Sequence, residues 1–329
     1  MYHRLPDIEN QHRMARKCAG QLARQPGPVV PGKMNKDRLG RIWGRHALST
    51  IKEQPFPSDR HHALCYAGST IIPLLTPKQR DRISVVLVSP RNPLNIGAVA
   101  RAMANFGFSH LTVVAPYEPH WREAKSAIGA PELLANARET STLSEAVRDS
   151  TFVLGTGTIT HRKPEQRVTR LDQLAPVITG ELDSTGTISI IFGPEKHGLT
   201  REDLSFCHHL VEIPTDPCQP SMNLGQAAAV CLYELAIRSG HPTENLDPPA
   251  LSPRPTSGNL DVLADLIQQV MLAANYSPQN MQAANQHDLR LMLRRFALTP
   301  ADQRRALGLF RRILRRLDSS QVQKPGAPS

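Results

Sequence analysis

The chain has 329 residues, 40 % of them hydrophobic, and a formal net charge of +10. That length holds one large core with additions, or two domains; no apolar run approaches the ~20 residues of a membrane-spanning helix, and the opening "MYHRLPDIEN" lacks the apolar stretch of a secretion signal. Five cysteines (Cys18, Cys65, Cys207, Cys218, Cys231) form no CxxC pair, so reduced thiols in a cytoplasm are expected and a metal site is not.

The charge is unevenly placed. Residues 1–80 carry 14 Lys/Arg against 5 Asp/Glu, residues 81–240 carry 14 against 17, residues 241–258 carry 1 against 2, and residues 259–329 carry 10 against 5. A near-neutral middle between basic flanks suits a catalytic domain whose appendages hold a polyanion such as RNA. A basic tail with no specific partner fits the N-terminal flank equally well.

Residues 1–80 show no sustained periodicity, and stretches such as "QPGPVVPGK" interrupt them, so a disordered extension is expected there. Order begins near Ile83. "ISVVLV" is a short β-branched run, as in a buried parallel strand. "NIGAVARAMANFG" has helical spacing, with Ile96, Val99, Ala100, Met103 and Phe106 on one side and Gly107 placed to end the helix. "HLTVVAP" predicts a second strand. "TLSEAVRDS" predicts a short helix capped by Thr142 with Glu145 three residues on.

"TFVLGTG", "TISIIFG" and "HHLVEIP" predict three more strands. "TREDLSFC" starts a helix with Thr200 and Asp203 as a capping box, and "NLGQAAAVCLYELAIRSG" is a long helix. Strands alternating with helices imply an α/β fold with a parallel sheet covered on both faces, over residues 81–240. Residues 241–258, with five prolines, read as a linker. Residues 259–318 predict a small all-α extension of three helices, the last capped by Thr299 with Pro300 in first position, and residues 319–329 a disordered tail. Arg pairs at 304/305, 311/312 and 315/316 make a basic stripe on that last helix, either an RNA contact or a solvated face.

"IIFGPEKHGLT", Ile190 to Thr200, raises a question of its own. Its two glycines resemble a phosphate loop, but the position after the second glycine is Leu199 where a P-loop needs Lys, and Glu195 would repel a triphosphate. The loop is shaped for a different ligand. It is one of three segments placed at the carboxyl ends of predicted strands, where open α/β sheets bind ligands. The first is "SPRNPLNIGAVARAMANFG", with Asn95 near a helix start, Gly97 allowing close backbone approach, and Arg101 further along. The third is "IPTDPCQPSMNLGQAAAVCLYEL", where three prolines stiffen a loop before Ser221 and Asn223. Alone, Asn95 and Ser221 read equally well as helix caps, Arg101 as an ion-pair partner, and Glu195 as a partner of Lys196 or His197.

In this order the three runs, N-x-G-x-x-x-R, F-G-x-E-x-x-G-L and I-P-x(6)-S-M-N-L, resemble the motifs of SpoU/TrmH-type RNA ribose 2′-O-methyltransferases of the SPOUT superfamily, over about residues 82–240. "GPEKHGLT", "PSMNLGQA" and the helical extension are most similar to the TrmJ-type subgroup, which methylates cytidine or uridine in tRNA anticodon loops. The resemblance implies a C-terminal trefoil knot, a homodimer with its active site between subunits, and S-adenosyl-L-methionine held by the knot loops. Those loops here are Thr156, Gly157 and Thr158, then Gly193 to Gly198, then Ile213 with Ser221, Met222 and Asn223. It further implies an active site of Arg101, Asn95, Glu195, Ser221 and Asn223, with no metal. One departure is "GTGTITHR" after the third strand, where Ile159 or Thr160 stands in place of the usual Arg. Because a guanidinium hardly deprotonates, a bidentate grip by Arg101 on a substrate phosphate is easier than a base role. A related enzyme acting on rRNA, or a non-catalytic RNA-binding module, is the alternative expectation.

Overall fold

The computed structural model describes residues 75–157, 164–237, 253–276 and 278–322. Thr158, Ile159, Thr160 and Arg162, most of the basic N-terminal flank, the linker up to residue 252 and the last seven residues lie outside the described residues. Residues 75–80, assigned by sequence to the extension, are structured. Leu75 is fully buried in the main core, and Thr76 caps the single-turn helix α1 (Pro77–Arg80) with a reciprocal bond to Gln79. Order therefore begins before Ile83.

The sheet is built from β1 (Ile83–Val88), β2 (His110–Val114), β3 (Arg138–Thr140), β4 (Phe152–Thr156), β5 (Arg167–Arg170), β6 (Ile188–Phe192) and β7 (His209–Glu212). All six pairings are parallel, in the order β3-β2-β1-β6-β4-β7-β5. Alternation along β1 assigns Val85 and Leu87 to one core, and Val86 and Val88 to another on the opposite face. The first core is completed by α2 (Pro93–Phe106), α5 (Ala175–Asp183) and α7 (Leu224–Ile237), the second by α4 (Leu143–Val147) and residues around α6 (Arg201–Ser205). The remaining helix of this unit, α3 (Pro131–Ala135), lies on the β2–β3 connection. This is the two-faced parallel sheet expected from alternating strands and helices.

Two strands escaped the sequence reading. Both are sheet edges: β3 has only Thr140 buried, and β5 has no buried residue. An edge strand carries no continuous apolar run, and that run is the signal that exposes an inner strand.

Helices α8 (Ser257–Ala273), α9 (Gln282–Arg295) and α10 (Pro300–Val322) form the extension around Leu260, Leu263, Ala264, Leu289 and Leu293. Its first helix starts at Ser257, inside the range read as linker. The extension is fastened to the sheet domain. Backbone bonds run from Ser257 to Ser150 and from Gly258 to Arg148. The buried Arg294 donates to the Phe206 carbonyl at 3.0 Å, to Ser257 Oγ at 2.7 Å and to Asp261 Oδ1 at 2.9 Å. Arg290 pairs with Glu202, and Arg254 pairs with the buried Glu181 at 2.8 Å.

Candidate functional site

Because the strands are parallel, the loops after β4, β6 and β7 emerge on one edge of the sheet. The loop after β6 is closed by a bond from the Gly198 amide to the Pro194 carbonyl at 2.8 Å. Gly198 has φ +63°, a conformation that disfavours side chains. Across the loop, a Cβ on Gly193 would lie 2.2 Å from the Leu199 amide nitrogen, so the loop pinches shut only with glycine there. Leu199, standing where a phosphate loop would have lysine, is buried in the second core and anchors the turn.

Helix caps decide which polar side chains remain free. Asn92, not Asn95, caps α2, accepting from the Leu94 amide at 2.9 Å ahead of Pro93. Asn223, not Ser221, caps α7, accepting from the Gly225 amide at 2.9 Å and that of Gln226 at 3.4 Å. Asn95 is thereby released inside the first turn of α2. Its Nδ2 donates to Glu195 Oε1 at 2.8 Å, and its Oδ1 accepts from Asn223 Nδ2 at 2.9 Å. Glu195 also accepts from the amides of Arg91 at 3.1 Å and Asn92 at 3.2 Å. One chain of hydrogen bonds thus links all three motifs.

Burial raises the Glu195 pKa, but bonds from Asn95 and from the amides of its own residue, Arg91 and Asn92 outweigh it, and the net shift is downward. Glu195 is therefore a carboxylate at neutral pH with its lone pairs engaged. It positions the loops and is poorly suited to accept a proton.

Between the loops lies a cleft of about 240 Å³. Thr156, Gly157, Gly193 and Gly198 line it, and so do Ile213, Ser221 and Met222, with Glu195 at its wall. Seven of the nine residues expected around the cofactor thus meet there. Asn223 does not line the cleft: its amide is consumed by the cap and the bond to Asn95. Thr158 falls outside the described residues. Arg101 also stands apart. It is exposed on α2 and lines no part of the cleft.

Comparison with known proteins gives this geometry a lineage. Residues 82–233 match the model of the SpoU rRNA Methylase family. The chain is 30 % identical over 220 residues to a tRNA (cytidine/uridine-2′-O-)-methyltransferase TrmJ of Klebsiella pneumoniae, 89 % of whose length it covers. The chain belongs to the SpoU methylase family. It is also 39 % identical over 169 residues to the tRNA (cytidine/uridine/adenosine-2′-O-)-methyltransferase TrmJ of Pseudomonas aeruginosa, covering 65 % of that protein, just under two thirds of its length. The crystal structure of TrmJ from Z. mobilis ZM4 superposes with a TM-score of 0.59 at 27 % identity, over 70 % of this chain and 98 % of that one.

Within this member of the SpoU family, the sequence reading missed the part played by Arg91 and Asn92, whose amides hold Glu195. The dipeptide Asn92-Pro93 was the available signal, since Asn at the cap followed by Pro in first position marks a helix start. Recognising it would have placed Asn95 inside the helix and free to act.

Proposed function

We propose that the protein is an S-adenosyl-L-methionine-dependent RNA methyltransferase acting on a ribose 2′-hydroxyl, most specifically a cytidine or uridine of a tRNA anticodon loop. The observation that carries this reading is the bond chain from Asn223 through Asn95 to Glu195, which draws three family motifs to one cleft. The names of the tRNA-modifying relatives support the substrate. The lining fits the cofactor: Leu199, Ile213, Met222 and Ala227 offer an apolar wall for an adenine, and a Cβ on Gly157 would meet nothing within 4 Å, leaving that side open. When bound, the cofactor supplies an electrophilic methyl on a sulfonium. Glu195 and its donors hold the loop that forms the wall, and Ser221, exposed at the cleft, is free to bond to substrate or cofactor.

Arg101 acts from a second copy of the chain in this proposal. On α2 and α7, Leu94, Val230 and Tyr233 are 54 %, 40 % and 51 % exposed, an apolar face beside Arg101 that a homodimer would cover. The partner's cleft would then receive the guanidinium, which suits a bidentate grip on the target phosphate. Alignment of the ribose oxygen for in-line attack supplies much of the acceleration.

The test is transfer of labelled methyl to tRNA and to rRNA, followed by mass mapping of ribose methylation. Methylated anticodon-loop pyrimidines are expected; label confined to rRNA would transfer the assignment there. Arg101→Ala should lose methyl transfer by orders of magnitude while binding cofactor normally. Mixing it with a cofactor-deficient Gly198→Val variant should restore part of the activity through mixed dimers. Near-normal turnover of Arg101→Ala would remove this residue from the site.

A further inference from the structure

Beside the cleft, Arg91 and Tyr117 form a cation–π pair that the proposed chemistry does not use. The Arg91 guanidinium carbon lies 5.6 Å from the Tyr117 ring centroid. Tyr117 is 71 % exposed, so its ring gains little from burial. Both residues follow the carboxyl ends of neighbouring strands, Arg91 after β1 and Tyr117 after β2. Their backbones are fixed. The Tyr117 amide donates to the Pro90 carbonyl at 3.2 Å, and the Arg91 amide donates to Glu195 Oε2 at 3.1 Å. Arg91 is exposed, and among the described residues no carboxylate pairs with its guanidinium. Two planar groups are thus presented to solvent one hydrogen bond away from a residue of the cleft wall.

We propose that Arg91 and Tyr117 form a stacking platform for an unpaired nucleobase of the RNA, next to the nucleotide whose ribose enters the cleft. The inference rests on the RNA methyltransferase reading of that cleft. Bases in single-stranded loops splay out and stack on aromatic rings and guanidinium planes. Every base has a π-face, so the platform tolerates sequence, and the guanidinium adds attraction for the neighbouring phosphate. The bond from Arg91 to Glu195 ties the platform to the loop that shapes the cleft. It therefore sets the distance between a stacked base and the reacting ribose. Tyr117 is a positioning residue in this role and touches no reacting atom.

The experiment uses the full chain and an anticodon stem-loop RNA. Tyr117→Ala should raise KM for the RNA about tenfold or more, with kcat at saturating RNA and cofactor affinity within about twofold of the parent. Tyr117→Phe should keep the parent KM, because the ring and not the hydroxyl does the stacking. Arg91→Ala should raise KM and flatten its salt dependence. The indole of Tyr117→Trp should be quenched on adding RNA without cofactor, relative to the parent protein. An unchanged KM in Tyr117→Ala, an unquenched indole, or a shift in oligomeric state as the only effect would overturn the platform. If the parent protein transfers no methyl to any RNA, the reading of the cleft fails and the platform with it. If the parent is active and Tyr117→Ala matches it, only the platform fails.

Discussion

Asn223 donates to Asn95 at 2.9 Å across 128 positions of sequence, while its carbonyl oxygen caps α7. One side chain therefore does two separable jobs. Asn223→Ala loses both, leaving two helix amides uncapped at a cost of about 1 kcal/mol. Asn223→Asp keeps a good capping oxygen but turns a second oxygen toward Asn95 Oδ1. Urea denaturation should show Asn223→Asp to be the more stable variant, while calorimetry should show weakened cofactor binding in both. Normal cofactor affinity in Asn223→Asp would mean that the bridge to Asn95 does not shape the cleft.

Glu195→Gln should change the acid response of the protein. The folded pKa of Glu195 is lowered, so its ionised form contributes stability above the ordinary carboxylate value of about 4.3. That contribution is lost as pH falls through the depressed folded value. Melting temperatures should therefore fall less steeply at acid pH in Glu195→Gln than in the parent, and start lower at neutral pH. Parallel curves would show that the carboxylate gains nothing from its four donors.

Glu181 has the opposite sign. Burial raises its pKa, and Arg254 offsets this only in part. Its ionisation therefore reduces stability as pH rises from the ordinary carboxylate value through the raised folded one. Glu181→Gln should be close to neutral at pH 7 and should remove that slope. Arg254→Ala should cost about 3 kcal/mol, the lower end for an orphaned buried charge, because Arg254 is partly exposed. Equal destabilisation by the two substitutions would contradict this asymmetry.

The basic stripe on α10 is exposed at Arg311, Arg312 and Arg315. Changing these three to Gln should weaken tRNA binding and lower the salt-dependence slope by about 0.7–0.9 for each phosphate no longer neutralised, without altering cofactor affinity. Point changes are the right probe. Removing the whole extension would also take Arg294 away from the Phe206 carbonyl and expose the sheet domain beneath. An unchanged slope would show that the arginines are only solvated.

Much of the local structure was legible because it depends on residues a few positions apart. Thr200 and Asp203 form both arms of the expected capping box, and Gly107 ends α2 with φ +73°. At Thr142 only one arm closes as expected. Its oxygen accepts from the Glu145 amide at 3.2 Å, but the Glu145 carboxylate turns to the Ser141 amide at 3.4 Å. The inner strands announced themselves through β-branched runs buried on both faces. The edge strands β3 and β5 did not, since water covers much of them.

Composition and pattern thus specified an α/β domain, its glycine-shaped loop and a basic helical extension, all properties of short windows. Tertiary structure decided which asparagine caps and which one reaches across. Asn95 and Asn92 are the same side chain three residues apart, and only the entry angle of α2 frees one of them to meet Glu195. It also decided the strand order that brings the loops after β4, β6 and β7 together, and the welding of the extension through Arg294. The physical reason is range. A cap is settled by a hydrogen bond to a neighbour three residues on, whereas sheet order and long-range polar bridges follow from burial summed over both faces of the whole sheet.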